Sequence, residues 1–123
     1  MRKVQRLTFL ASRLTLLAVL LASFVSACGI GMDSQDRLDR GHEALAAGEF
    51  RAAIIDAKNI LLKDPDNIAA RLLLGRASVE IMDGISAEKE FRKAVELGAN
   101  PDELLVDLGQ ALLLQAKYDE VLA

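Results

Sequence analysis

Cysteine, tyrosine and histidine each occur once in these 123 residues, proline twice and tryptophan not at all. A single cysteine excludes an intrachain disulfide framework. One histidine, one cysteine and scattered carboxylates make no metal-ligand set, so no metal is expected. Acids are missing from residues 1–27, which carry Arg2, Lys3, Arg6 and Arg13; downstream, 11 bases face all 18 acids. That acidic excess is the reverse of the clustered lysine and arginine that neutralise phosphates, so no nucleic-acid partner is expected. The length allows one small domain. With 17 of the first 27 residues apolar, the overall 52% hydrophobic content averages two unlike segments.

The first segment runs from the basic start Met1-Arg2-Lys3 through the apolar stretch Leu14 to Ala22 to the small residues Ser23, Ser26 and Ala27. That is the order of a signal peptide. Leu14 to Ala27 is uncharged but extends only about 21 Å as a helix, short of the roughly 30 Å of a hydrocarbon core. An uncleaved anchor with Arg13 snorkelling is the alternative. The tetrad Val25-Ser26-Ala27-Cys28 resembles the bacterial lipoprotein box. The resemblance implies that the Cys28 thiol receives a diacylglyceryl group, that the bond before it is cut and that the new amino terminus is acylated. Two or three acyl chains hold a protein stably on a bilayer. The other reading of Cys28 is a small buried residue in an ordinary helix. Gly29, where aspartate would signal inner-membrane retention, implies the outer membrane, facing the periplasm. The expected organisation is a signal at 1–27, a lipidated tether at 28–33 and a repeat region at 34–123.

The second segment repeats. Gly41, Gly75 and Gly109 recur at a constant step of 34; Ala53, Ala87 and Val121 keep the same step, and Leu74 and Leu108 each precede their glycine. A fixed period of this size marks a stacked helical array. The pattern resembles the tetratricopeptide repeat, which implies an all-α solenoid with units at 34–67, 68–101 and, in part, 102–123. Glycine in mid-helix costs about 1 kcal/mol relative to alanine, so a recurring one points to close approach of the two helices in each unit. Phe50, Ala53, Ile54, Ala57, Ile60 and Leu61 form an apolar stripe at helical spacing, echoed by Ala87, Phe91, Ala94 and Val95. Arg51, Asp56 and Lys58, then Lys89, Arg92, Lys93 and Glu96, fall opposite it and read as a solvated face.

Asn67 after Asp64-Pro65-Asp66 and Asn100 before Pro101 read as helix starts, and Ala47-Gly48 and Asp83-Gly84 as the turns inside units. Helices are expected over 34–47, 50–63, 68–82, 86–97 and 102–116, with a last one from about Tyr118. The large aromatic often found early in the first helix of such repeats is replaced by Arg37, Arg71 and Leu105, which thins the core. Ala123 falls in mid-unit, leaving Leu108, Leu112 and the Leu113-Leu114 pair short of cover; a solenoid ordinarily ends in a polar cap, so the chain is expected to be the front of a longer array.

His42 has no nucleophile or carboxylate spaced around it for general-base chemistry and reads as a surface or groove residue. No glycine-rich phosphate loop precedes a helix, since Gly29 and Gly31 follow no strand. No catalytic residue, cofactor or small-molecule substrate is expected. The repeat resemblance implies instead a groove along the first helices for a protein or peptide segment, with candidate lining residues Leu38, His42, Leu45, Leu72, Arg76, Val79, Val106, Gln110 and Leu113. Only Arg76 suits a carboxylate clamp; the rest suit an amphipathic helix or an extended apolar segment. Leu38, Leu72 and Val106 also fit a plain packing role between units.

Finally, the Lys63-Asp64-Pro65-Asp66-Asn67 turn, the Glu96-Leu97-Gly98-Ala99-Asn100-Pro101 turn and the leucine run Leu112 to Leu114 resemble the long repeat lipoproteins of the PEP-CTERM/exosortase system. That resemblance implies a noncatalytic, lipid-anchored scaffold linked to exopolysaccharide export or surface-protein sorting. A generic repeat lipoprotein assisting outer-membrane protein or pilus assembly is the alternative.

Overall fold

The computed structural model describes residues 33–122; the signal segment, Cys28 and most of the tether lie outside them. The described residues form α1 (Ser34–Ala46), α2 (Phe50–Lys63), α3 (Ile68–Glu80), α4 (Gly84–Glu96), a 3-10 turn (Pro101–Leu104), α5 (Leu105–Leu114) and α6 (Tyr118–Leu122). Each helix packs on the next, and α3 also touches both α1 and α5, so the first helices of successive units lie side by side. This is an all-helical stack with the expected order of elements.

Side-chain oxygens start the helices where the sequence places Asp and Asn. The Asp33 carboxylate accepts from the Ser34 amide at 2.7 Å, Asn67 from Ala70 at 3.0 Å, Asp83 from Ser86 at 3.0 Å and Asn100 from Asp102 at 3.1 Å. Each satisfies an amide that has no partner within its helix. Pro101 takes the first position after its cap, and the turn it opens is 3-10 before it widens into α5.

The turn inside unit two differs from expectation. Asp83-Gly84 does not make it; Gly84 is already helical, and the left-handed residue is Met82, at φ 63°. Gly48 (φ 79°) and Ala116 (φ 57°) take the same conformation, one repeat before and one repeat after Met82. Gly84 serves packing instead. A Cβ there would sit 2.6 Å from the Ala111 carbonyl oxygen and 2.8 Å from the Leu114 Cβ, so its bareness lets α4 press against α5.

The recurring glycines do not all share one role. A Cβ on Gly75 would meet the Phe91 ring at 2.5 Å, the expected contact within a unit. On Gly41 it would collide with Leu73 of the following unit, while its own unit's Asp56 Cβ is at an ordinary 3.5 Å. On Gly109 it would meet nothing within 4 Å among the described residues. Close approach therefore explains the first two and not the third.

Small residues dominate the interior: Ala44, Ala53, Ala57 and Ala77 surround Leu73 and Leu74, and Ala87 and Ala111 surround Phe91. The two apolar stripes face this core as expected, with Ala53, Ala57, Ile60, Ala87, Phe91 and Ala94 all buried. Leu112, expected to lack cover, is 4% exposed.

Asp56 is the clearest departure, because it sits 2% exposed in the interior rather than on a solvated face. Arg40 donates to it from Nε at 2.7 Å and from a second guanidinium nitrogen, and Arg37 stands 3.7 Å away. Glu90 is buried in the same way, with the Arg71 guanidinium at 2.6 Å. Arg37 and Arg71 are one full repeat apart, and so are Asp56 and Glu90. Both arginines also bury an Nε without a partner. In units one and two the position that lacks an aromatic holds the arginine of an ion pair linking the unit's two helices, whereas Leu105 of unit three is 66% exposed.

A second electrostatic tie fastens the chain after α5. Glu88 of α4 accepts from Lys117 at 2.8 Å, Gln115 at 2.7 Å and Arg92 at 2.7 Å. These donors, Lys117 foremost, lower its pKa from 4.5 to about 2.

Three outcomes test this packing. Asp56→Ala removes the carboxylate that Arg37 meets inside unit one, while the half-exposed Arg40 turns to solvent, and is expected to cost about 1–3 kcal/mol of unfolding free energy, measured by urea titration; a loss under about 0.5 kcal/mol contradicts it. Gly75→Ala lowers the melting temperature because the buried Phe91 ring must move, whereas Gly109→Ala raises stability by about 0.5–1 kcal/mol through helix propensity. Because its folded pKa is depressed, the Glu88 contribution is present above pH 4.5 and disappears as pH falls toward about 2. The stability gap between wild type and Glu88→Gln, on the order of 1–2 kcal/mol at neutral pH after solvent screening, should therefore close across that interval, and a gap independent of pH would refute the assignment.

Candidate functional site

Side-by-side packing of α1, α3 and α5 leaves a trough along them. One part, about 390 Å³, is lined by Leu45, Ala46, Gly48, Phe50, Arg76, Val79, Glu80, Asp107 and Gln110. It adjoins a second part of about 420 Å³ that shares Val79, Glu80 and Gln110 and adds Met82, Leu113 and Leu114. α3 and α5 supply residues one turn apart and α1 its last two, and Leu45, Val79 and Leu113 hold the same place in successive units.

Of the nine candidate lining residues, Leu45, Arg76, Val79, Gln110 and Leu113 line this trough. Leu38 is half-buried against the unit-one core and Leu72 against the Phe91 cluster, which is a packing role. His42 and Val106 are exposed and line neither part, Val106 at 71%. Met82 and Asp107 line it without standing out in the sequence, and Phe50, the first residue of the unit-one apolar stripe, lines it beside Glu80. Asp107 matters most of these. The Arg76 Nε donates to its Oδ2 at 3.0 Å, and a terminal guanidinium nitrogen lies 2.9 Å from the same oxygen. Arg76 and Asp107 belong to neighbouring first helices, so the pair bridges the floor from unit two to unit three. With its charge so occupied, Arg76 is no free anchor for a carboxylate.

The same pairing shapes the rest of the face. Arg37 and Arg40 of α1 are spent on Asp56, and Arg71 of α3 on Glu90. Every first-helix base is thus neutralised by an acid. Among the described residues, Glu80 forms no ion pair, and Asp36, Asp39, Glu43 and Glu103 are exposed on the first helices or the turn leading into α5. The trough therefore presents aliphatic side chains in acidic surroundings. Among the described residues no three His, Cys, Asp or Glu side chains are grouped to hold a metal ion, and no helix is long and apolar enough to cross a membrane. What the arrangement offers is an elongated surface that mixes aliphatic side chains with Arg76, Glu80, Asp107 and Gln110.

No protein-family profile matches the chain. Over 95 residues it is 33% identical to the DnaJ homolog subfamily C member 3 of Bos taurus, a stretch that covers 76% of this chain and 18% of that protein. The chain thus spans less than a fifth of the length of this curated relative. Packed helices in pairs, recurring at a constant step and joined at left-handed turns, make the described part of the chain a tetratricopeptide-like helical repeat.

Proposed function

We propose that the protein is a noncatalytic scaffold that seats an amphipathic helix or an extended apolar segment of a protein partner in the trough of its first helices. The observation that carries this reading is that three successive first helices contribute to one trough, lined by Leu45, Val79 and Leu113 beside Glu80. A segment with aliphatic anchors and a basic flank complements that lining. The Arg76–Asp107 pair argues against a C-terminal carboxylate as the main feature recognised.

The sequence adds a place and a setting. The lipoprotein-like tetrad ending at Cys28 supports a lipid anchor shortly before α1, at an outer membrane facing the periplasm. The turn and leucine motifs support a role in PEP-CTERM/exosortase-linked exopolysaccharide export or surface-protein sorting. Exosortase and polysaccharide genes beside the coding sequence are the corresponding expectation.

Two measurements in intact cells test the reading. A photo-crosslinking residue at Gln110 is expected to give a discrete protein adduct that Val79→Asp abolishes, while the same residue at Arg51, on the opposite face, gives none; the same adducts from both positions would sink the trough as the binding site. A clickable fatty acid is expected to label the protein only while Cys28 is intact. Undiminished labelling of Cys28→Ala would rule out that anchor.

A further inference from the structure

The ion pairs inside the units consume first-helix bases and second-helix acids, so the exposed remainder on the second helices has the opposite sign to the trough. On α2, Lys58, Arg51, Leu62 and Ile55 fall within a narrow strip of the helix surface and all four are exposed, Ile55 at 59% and Leu62 at 82%. The strip holds no acid, because Asp56 points inward. One unit later the same register holds Ile85, 72% exposed, with Lys89 and Arg92, and ends at Glu96, whose charge the neighbouring Lys93 meets. Arg92 is tied to Glu88 and Glu120, and Lys93 to Glu96 at 2.9 Å. Among the described residues Arg51 and Lys58 lie in no ion pair, and Lys89, whose side chain is 78% exposed, comes no nearer than 4.0 Å to Glu90. Hydrogen bonds from Ser86 hold the Asp83 carboxyl below its usual range, and Lys58 stands near enough to add to that.

We propose that this outward face of α2 and α4 rests on an anionic lipid bilayer. Two features of the face fit that surface together. Lysine and arginine gain from the negative surface potential within a Debye length, and aliphatic side chains interspersed among them enter the boundary between headgroups and acyl chains. A soluble acidic protein would match the bases and leave Ile55, Leu62 and Ile85 without a matching environment. The arrangement is unusual for a chain whose residues beyond Cys28 are acidic on balance, because its unpaired bases gather where its acids have been withdrawn. With this face down, the trough of α1, α3 and α5 is turned to the aqueous side. The proposal stands on the second-helix face alone and holds with or without a lipid on Cys28.

The test uses the chain from residue 28 onward with Cys28→Ala, its helix content first verified by circular dichroism, because the basic, apolar segment 1–27 would bind vesicles by itself; a single new cysteine from either Leu62→Cys or Gln110→Cys is labelled by an environment-sensitive fluorophore. On vesicles of equal parts phosphatidylcholine and phosphatidylglycerol, the probe at position 62 should brighten and shift to the blue while the probe at 110 stays unchanged. The response should vanish on pure phosphatidylcholine and in high salt. Arg51→Gln with Lys58→Gln, checked for unchanged helix content by circular dichroism, should weaken vesicle binding about 20–30-fold, at roughly fivefold per charge. Equal responses at 62 and 110, binding that ignores the double variant, or a probe-62 response on single-stranded DNA as strong as on vesicles would each overturn the proposal. None of these outcomes bears on the Gln110 adduct or the Cys28 label.

Discussion

An arginine of the first helix closing on a carboxylate of the second, repeated at the interval of the fold, is the interaction on which the described structure depends. Arg37 and Arg40 meet Asp56, and Arg71 meets Glu90, at interfaces otherwise made of alanine around a few large residues, Leu73, Leu74 and Phe91. Alanine lets helices approach closely but says little about register, since one methyl resembles the next. A buried charge is more demanding: displaced by a residue, it would be left unpaired in a poor solvent for ions. The pairs thus align two helices that the small residues merely allow to touch. They also explain how the units dispense with an aromatic early in the first helix, because a guanidinium and its alkyl stem occupy comparable space.

The same pairs connect the interior to the two outer surfaces. Neutralising first-helix bases leaves the trough acidic around its aliphatic lining, and withdrawing second-helix acids leaves the opposite face basic. The Arg76–Asp107 bridge extends the logic across units, with one charge of the trough floor cancelling the other. Interior pairing, usually discussed for stability alone, here determines what each side of the molecule shows to its surroundings.

Much of this is legible in the residues. The constant step of the repeat, the capping Asn67 and Asn100 and the apolar stripes place the helices to within about two residues at their ends. What escapes a reading of the sequence depends on packing between helices. Charge alone assigns Asp56 to the solvated face, although Arg37 with Arg71 and Asp56 with Glu90 keep the period as faithfully as the glycines do. Asp83-Gly84 has the composition of a turn, yet the backbone reverses at Met82, the register of Gly48 and Ala116, while Gly84 lies bare against Ala111. Asp107 and its partner Arg76 stand off the period, and only the juxtaposition of neighbouring first helices joins them. Helical position within the unit puts Leu45, Val79 and Leu113 along the trough. His42 and Val106 lie on the first helices but outside that lining.

The left-handed turn residues carry a last implication. Gly48, Met82 and Ala116 share a conformation that glycine adopts freely and that costs an L side chain about 1–2 kcal/mol. The conformation recurs where the residue does not, so the flanking helices must hold it in place. Parting the helices of the second unit would let Met82 relax to an ordinary backbone and recover that energy; parting those of the first would recover nothing at Gly48. Two hairpins with the same architecture therefore differ in how much of their packing is spent keeping the chain bent, and the second yields more readily for reasons lodged in its turn rather than in its core.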